Sequence, residues 1–180
     1  TRKAQYSLNV SRAQAENFEW RVYKKIIWKP VLSYLDLTPI GEQWKVGFWV
    51  KTNHLKVNDG GKLLMRVCVY EKKEGIHYHS LEQPLVLDVE IPISEGTCEW
   101  TKIEREIPIS ADKTAFVGVW FEGLNYTGDV YIENPFLVSG NGYNVLPDFS
   151  PAQPNRQKFA WAAENLSKKE WPKFLVCLNG

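Results

Sequence analysis

Two short stretches carry the residues best suited to recognition by surface contact. In "VGFWVKT" (46–52) and "VGVWFEG" (117–123) a Gly and a Trp stand two positions apart, and a charged side chain follows two positions later. Residues i, i+2 and i+4 of a strand share a face. Gly47, Trp49 and Lys51 therefore stand together, as do Gly118, Trp120 and Glu122. Trp44, Val46, Phe48 and Val50 take the opposite side in the first stretch, and Val117, Val119 and Phe121 in the second. A third run, "KLLMRVCVYE" (62–71), divides the same way, with Leu63, Met65, Val67 and Val69 set against Leu64, Arg66, Cys68 and Tyr70.

The purely apolar sets read as core. The other sets join Trp49, Trp120 and Tyr70 with Arg66, Lys51 and Glu122, a mixture too polar for an interior and too aromatic for an idle surface. It fits saccharide recognition: the C–H face of a sugar ring packs on an aromatic plate while Arg, Lys and Glu bond the hydroxyls. A glycine beside each indole lowers the floor so that a flat ligand can lie on the ring. The competing account is internal packing, with the rings laid over glycines and covered by the N-terminal segment or the tail.

Two further constellations invite chemistry. "LDVE" puts Asp88 and Glu90 on one side of a strand. Retaining glycoside hydrolysis needs two carboxyls about 5 Å apart, one with a raised pKa. No supporting residues surround this pair, so a solvated face is the better account and no enzyme is expected. "HYH" places His77 and His79 at i, i+2, a spacing that can ligate zinc, but no third ligand is evident. With Tyr78 they read as an exposed loop or the rim of a sugar site. Cys68, Cys98 and Cys177 show no CxxC spacing and read as idle thiols.

The elements that must position these residues are strands. Alternating runs recur at 43–52, 62–71, 85–93, 99–109, 115–123 and 128–138, with less regular ones at 18–28 and 31–37. "NDGG" (58–61) tolerates positive φ and predicts a tight hairpin turn, and "ISEG" and "ISAD" predict further turns. The pattern predicts an all-β, antiparallel jelly-roll β-sandwich over 1–140, with a closed barrel as the alternative. Residues 141–180 open with a Gly/Pro/Asn-rich stretch and read as a linker and C-terminal extended arm or short helix (158–166), packing on the sandwich or on a protein partner. Ser167 and Glu170 have capping-box spacing, cut short by Pro172.

A chain of 180 residues suits one domain, and its net charge of +1 gives no global footprint for nucleic acid or an anionic membrane. Eight Trp, eight Tyr and eight Phe exceed the needs of such a core, so some face outward, which suits an uncharged partner. No run approaches the roughly twenty apolar residues of a membrane span, and the first ten residues lack the apolar stretch of a signal peptide. Sequons at Asn9, Asn125 and Asn165 matter only in a secreted eukaryotic protein.

The order of the segments "WKVGFWVKTN", "LLMRVCVYEKK", "GTCEWTKIEREIPI", "AFVGVWFEG" and "GDVYIENPFL" resembles the β-sandwich carbohydrate-binding modules of the family 4/9/22 type over roughly residues 40–140. "VYIENPFLVSGN…PDFSP" is similar to modules carried by bacteriophage tail and baseplate proteins. The resemblance implies a non-catalytic module that binds a host cell-wall polysaccharide, sited in a virion tail or attached to a secreted polysaccharide-degrading enzyme. A structural or assembly role in a virion is the alternative. Many such modules hold a structural calcium through an Asp of the last strand; Glu133 stands there in this chain, with Asp129 and Asn134 nearby, so the resemblance implies those positions as metal ligands.

Overall fold

The computed structural model describes residues 6–15, 19–27, 43–77, 80–110, 112–139, 142, 144–149, 161–165 and 175–178. Its strands are β1 (Tyr6–Asn9), β2 (Trp20–Ile27), β3 (Gln43–Glu71), β4 (Leu85–Pro92), β5 (Gly96–Pro108), β6 (Thr114–Val138), β7 (Ala162–Asn165) and β8 (Leu175–Leu178). The architecture is all-β, and every strand pair among the described residues is antiparallel.

One ladder organises the rest. β3, 29 residues long, pairs with β6 from Lys45↔Val138 to Glu71↔Thr114. The expected hairpin at 58–61 does not form, because 43–57 and 62–71 never pair with each other: both stay on β6. "NDGG" is instead a bulge, lying between the pairs Val57↔Tyr126 and Lys62↔Leu124. Gly60 has φ 73° and Asn125, across the ladder, φ 47°. Asn125 Nδ2 donates to the Asp59 carbonyl at 3.1 Å. A Cβ on Gly61 would stand 2.4 Å from the Asn125 carbonyl oxygen, so only glycine admits this approach. A turn motif and a bulge need the same backbone freedom, which is why local sequence does not separate them.

The bulge lets the ladder double over. Phe48 meets Phe121 edge to face at 5.1 Å. Yet Met65, the register partner of Phe121, would stand about 55 Å from Phe48 along an unbent strand. The two halves of the ladder therefore face each other across one core, each extended by three strands. The first layer runs β5, β3 (43–57), β6 (126–138), β1, β8; the second runs β4, β3 (62–71), β6 (114–124), β2, β7.

Between the layers lie the apolar sets expected there: Trp44, Val46, Phe48 and Val50 from one half, Leu63, Met65, Val67, Val69, Val117, Val119 and Phe121 from the other. Phe121 is the centre, with Phe149 at 5.9 Å and Trp161 at 5.7 Å as well as Phe48. The chain beyond residue 140 thus enters the core through Leu146 and Phe149 and adds strands β7 and β8. The short helix expected over 158–166 is corrected at Ala162–Asn165, which is a strand on β2. Edge pairing there overrides the helix propensity of "AWAAEN". The Ser167/Glu170 spacing and the run 31–37 lie outside the described residues.

Phe121→Ala should lower unfolding free energy by about 3–5 kcal/mol, read by urea denaturation. Gly47→Ala should be at least as harmful, since the new Cβ would stand 2.1 Å from the Ile103 carbonyl oxygen; unchanged stability in that variant would contradict the pairing of β3 with β5.

Candidate functional site

Alternation puts Trp49 and Trp120 on outer faces, and both are partly exposed there. They do not share a surface. Trp49 belongs to the half of β3 in the first layer, Trp120 to the half of β6 in the second, so the two indoles look out from opposite sides of the molecule. The single platform expected from Trp49, Trp120, Tyr70, Arg66, Lys51 and Glu122 is corrected accordingly. Trp120, Tyr70, Arg66 and Glu122 come together; Trp49 and Lys51 do not join them. Lys51 lies in the first layer and holds Glu99 at 2.9 Å.

The glycines follow the competing packing account rather than lowering a floor for a ligand, although the ring over Gly47 is Phe136 and not Trp49. A Cβ on Gly118 would stand 2.8 Å from Cζ3 of Trp120, and one on Gly47 would stand 2.7 Å from Cζ of Phe136. Each glycine accommodates a ring of the protein itself. The Trp120 benzo ring covers Gly118 while its Nε1 donates to Glu122 Oε2 at 2.9 Å, so the indole runs along the strand, over the sheet.

Glu122 is the anchor of that arrangement. It has no exposed surface, and besides the indole it receives Lys62 Nζ at 3.1 Å and Arg21 Nη2 at 3.2 Å, with Arg66 Nη1 at 3.6 Å. Burial alone would push its carboxyl pKa up; hydrogen bonds from Lys62 and Trp120, with the charges of Lys62 and Arg21, outweigh that and hold it below the usual range. Glu19 shares Lys62 at 2.9 Å. Arg66 is held on its other side by Asp88, with Nε–Oδ1 at 2.7 Å and Nη2–Oδ2 at 2.5 Å, a forked pair. That hydrogen bonding holds the Asp88 carboxyl below its usual range. Burial, then the nearby Asp88, pushes the Cys68 thiol up to about 12, leaving it protonated and inert.

Across the sheet, register brings Glu90, Arg66, Trp120 and Tyr23 into one row, and Asp88, Cys68, Gly118 and Lys25 into the next. Tyr70 stacks on Phe116 at 4.3 Å with 18° between planes, and Arg21 lies 5.1 Å from the Trp120 ring centroid. Together they line a groove of about 540 Å³, with Trp120, Tyr70 and Phe116 among its aromatic walls and Arg21, Lys24 and Lys25 among its polar ones. Arg21, Tyr23 and Lys25 are absent from the residues expected at the site, although the alternation of "WRVYKK" puts them on one face.

The first layer has its own groove, of about 470 Å³, around Trp49, Phe136, Lys102 and Glu104. Lys102 lies 5.0 Å over the Phe136 ring and pairs with Glu104. Asn144 at its rim is engaged in structure, accepting from the Leu137 and Leu146 amides at 2.9 and 3.0 Å.

The other candidates separate. Asp88 and Glu90 both face Arg66, and Asp88, whose carboxyl the Arg66 hydrogen bonds hold below its usual range, cannot serve as the proton donor of glycoside hydrolysis. Asp129 accepts from Asn53 Nδ2 at 3.1 Å, while Glu133 is fully buried. Four residues apart on one strand, they are about 13 Å from each other, so they do not share a calcium ion. Among the described residues no three His, Cys, Asp or Glu side chains converge. His79 and Tyr78 lie outside the described residues, and His77 stands in the connection after β3.

Comparison of the chain with protein-family models, with curated proteins and with solved structures finds no match.

Glu122→Gln should lower stability by about 3 kcal/mol, because three cationic side chains lose their common counter-charge. Both Asp88 and Glu122 have folded pKa values below their unfolded ones. Their contribution is therefore complete above about pH 4 and lost as pH falls through the folded values. Melting temperature measured against pH should drop below about pH 4, and less steeply in Glu122→Gln.

Proposed function

We propose that the protein is a non-catalytic saccharide-binding module whose site is the outer groove of the second layer. The observation that carries this reading is the Trp120 indole, laid along β6 over Gly118 and fixed by Glu122, with Tyr23 opposite it on β2. A ring held flat before the ligand arrives loses little freedom on binding. By analogy with base–aromatic stacking, one sugar ring on it contributes roughly 1–3 kcal/mol. Weak single sites of this kind act through multivalent display.

The roles differ from those expected. Glu122, Arg66 and Arg21 position the indole rather than bond hydroxyls; the hydroxyls of Tyr23 and Tyr70 are the groups proposed to meet a sugar. The setting implied by the resemblance, a jelly-roll module of a phage tail or of a secreted polysaccharide-degrading enzyme, belongs to the same proposal. A second reading, an assembly module, draws on the outer edge strand β4, whose Leu85 and Val86 are 48% and 49% exposed beside Leu81 at 76%.

A glycan array on the purified chain tests this. Trp120→Ala should lose at least about tenfold in affinity for the glycans bound by the wild type, while Trp49→Ala, altered on the opposite face, stays within about twofold. Equal binding by wild type and Trp120→Ala would falsify the site. Absence of any glycan binding, with concentration-dependent association abolished by Leu85→Lys, would favour the assembly reading instead.

A further inference from the structure

The first layer has an outward aromatic floor of its own. Trp49 is half-buried in the wall of the groove of about 470 Å³, and Phe136 lies against Gly47, two positions away on the same strand. Same-face positions of a strand follow at about 6.5 Å, so the indole and the phenyl ring are neighbours. Among the described residues no hydrogen bond, ring or cation engages Trp49. Trp120 is the contrary case, held by Glu122 and Arg21.

The backbone brings a second group to this groove. Register shifts between the pairs Trp49↔Glu133 and Gly47↔Phe136. β6 has two residues there, Asn134 and Pro135, where β3 has Phe48 alone. Asn134 takes φ 46°, a left-handed conformation that costs any residue other than glycine. Bulges of this kind re-aim side chains beside binding sites. Asn134 lines the groove, and its carboxamide has no hydrogen-bond partner among the described residues. The other amide at the rim, Asn144, is already committed: besides the two amides it accepts from, it donates to the Pro135 carbonyl at 3.0 Å.

The charges around the groove are matched. Lys102 pairs with Glu104, Lys45 reaches Glu106 at 3.8 Å, and Asp148 is also engaged. What stays uncommitted is an indole and a carboxamide. A flat apolar ring beside a group that both donates and accepts suits the C–H face and hydroxyls of an uncharged sugar.

We propose that the Trp49 groove is a second saccharide site, weaker than the one around Trp120, and that a single chain thereby joins two polysaccharide strands. The inference rests on the saccharide reading above and adds a valency to it. The site is the weaker one because an unfixed ring loses freedom when a sugar lies on it. The two grooves open on opposite faces of two layers about 10 Å apart. One polymer would have to turn round the edge of the sandwich to fill both, so separate polymers are the simpler occupants, and each bound polymer holds the chain close to the next.

The test uses the full chain with soluble neutral polysaccharides, namely laminarin, xyloglucan, galactomannan and any polymer selected on the glycan array. Light scattering should rise with at least one of them, pass through a maximum and fall in polysaccharide excess. Calorimetric titration with a short oligosaccharide of that polymer should saturate at two per chain, the second about tenfold weaker. Trp49→Ala should abolish the scattering and keep the tighter affinity within about twofold. Asn134→Gly, which removes the carboxamide and relaxes the positive φ, should lower the scattering several-fold. Saturation at one oligosaccharide per chain, or scattering undiminished in Trp49→Ala, would overturn the inference and leave the Trp120 site in place. No binding to any polysaccharide or array glycan would overturn both. The stoichiometry is read on the wild-type chain, so it decides even where a variant fails to fold.

Discussion

The structure depends on one ladder that is forced to bend. A strand of 29 residues paired with one of 25 would, if straight, bury no more than one face of a ribbon. Asn58–Gly61 on one side and Asn125 on the other break the regular register, and the ribbon closes on its own apolar face. Phe48 against Phe121 is the direct mark of that closure. Every other strand then has its place decided by which half of the ladder it joins: β5 and β1 on the first, β4 and β2 on the second.

The same constraint distributes the surface chemistry. Because the bend lies between Trp49 and the stretch pairing with Trp120, two segments of similar local sequence end on opposite outer faces. What gathers around Trp120 comes from strands distant along the chain: Arg21 and Tyr23 from β2, Lys62, Arg66 and Tyr70 from β3, Asp88 from β4. A fully buried Glu122 holds together groups that would otherwise repel one another. The polar network is thus a device for fixing the pose of an aromatic ring, and stability and recognition share the same carboxylate.

Much of this was legible in the sequence, and the rest was not for identifiable reasons. Strict alternation in 43–50, 63–69 and 117–121 separates inward from outward side chains because the period of a strand is a local property. Which strand lies beside which is not local. The pairing of Tyr23 with Trp120 spans almost a hundred positions, and nothing in "WRVYKK" specifies it. "NDGG" announces positive φ, but a reversal and a bulge both require that, and the choice between them is made by the long-range ladder. Glu122 shows the same limit: alternation puts it outside, yet Lys62 and Arg21 converge on it and remove it from solvent. The tail adds a case of tertiary override, with alanine-rich sequence drawn into an edge strand by β2.

The β3–β6 ladder also has a temporal meaning. Its nearest paired residues, Glu71 and Thr114, and its most distant, Lys45 and Val138, both require most of β3 to leave the ribosome well before its partner exists. Until then an apolar, extended segment waits with open backbone groups, and assembly of such non-local topology is slow. The lysines spaced along it at 45, 51, 56 and 62 keep that nascent ribbon charged and discourage it from pairing with a second copy.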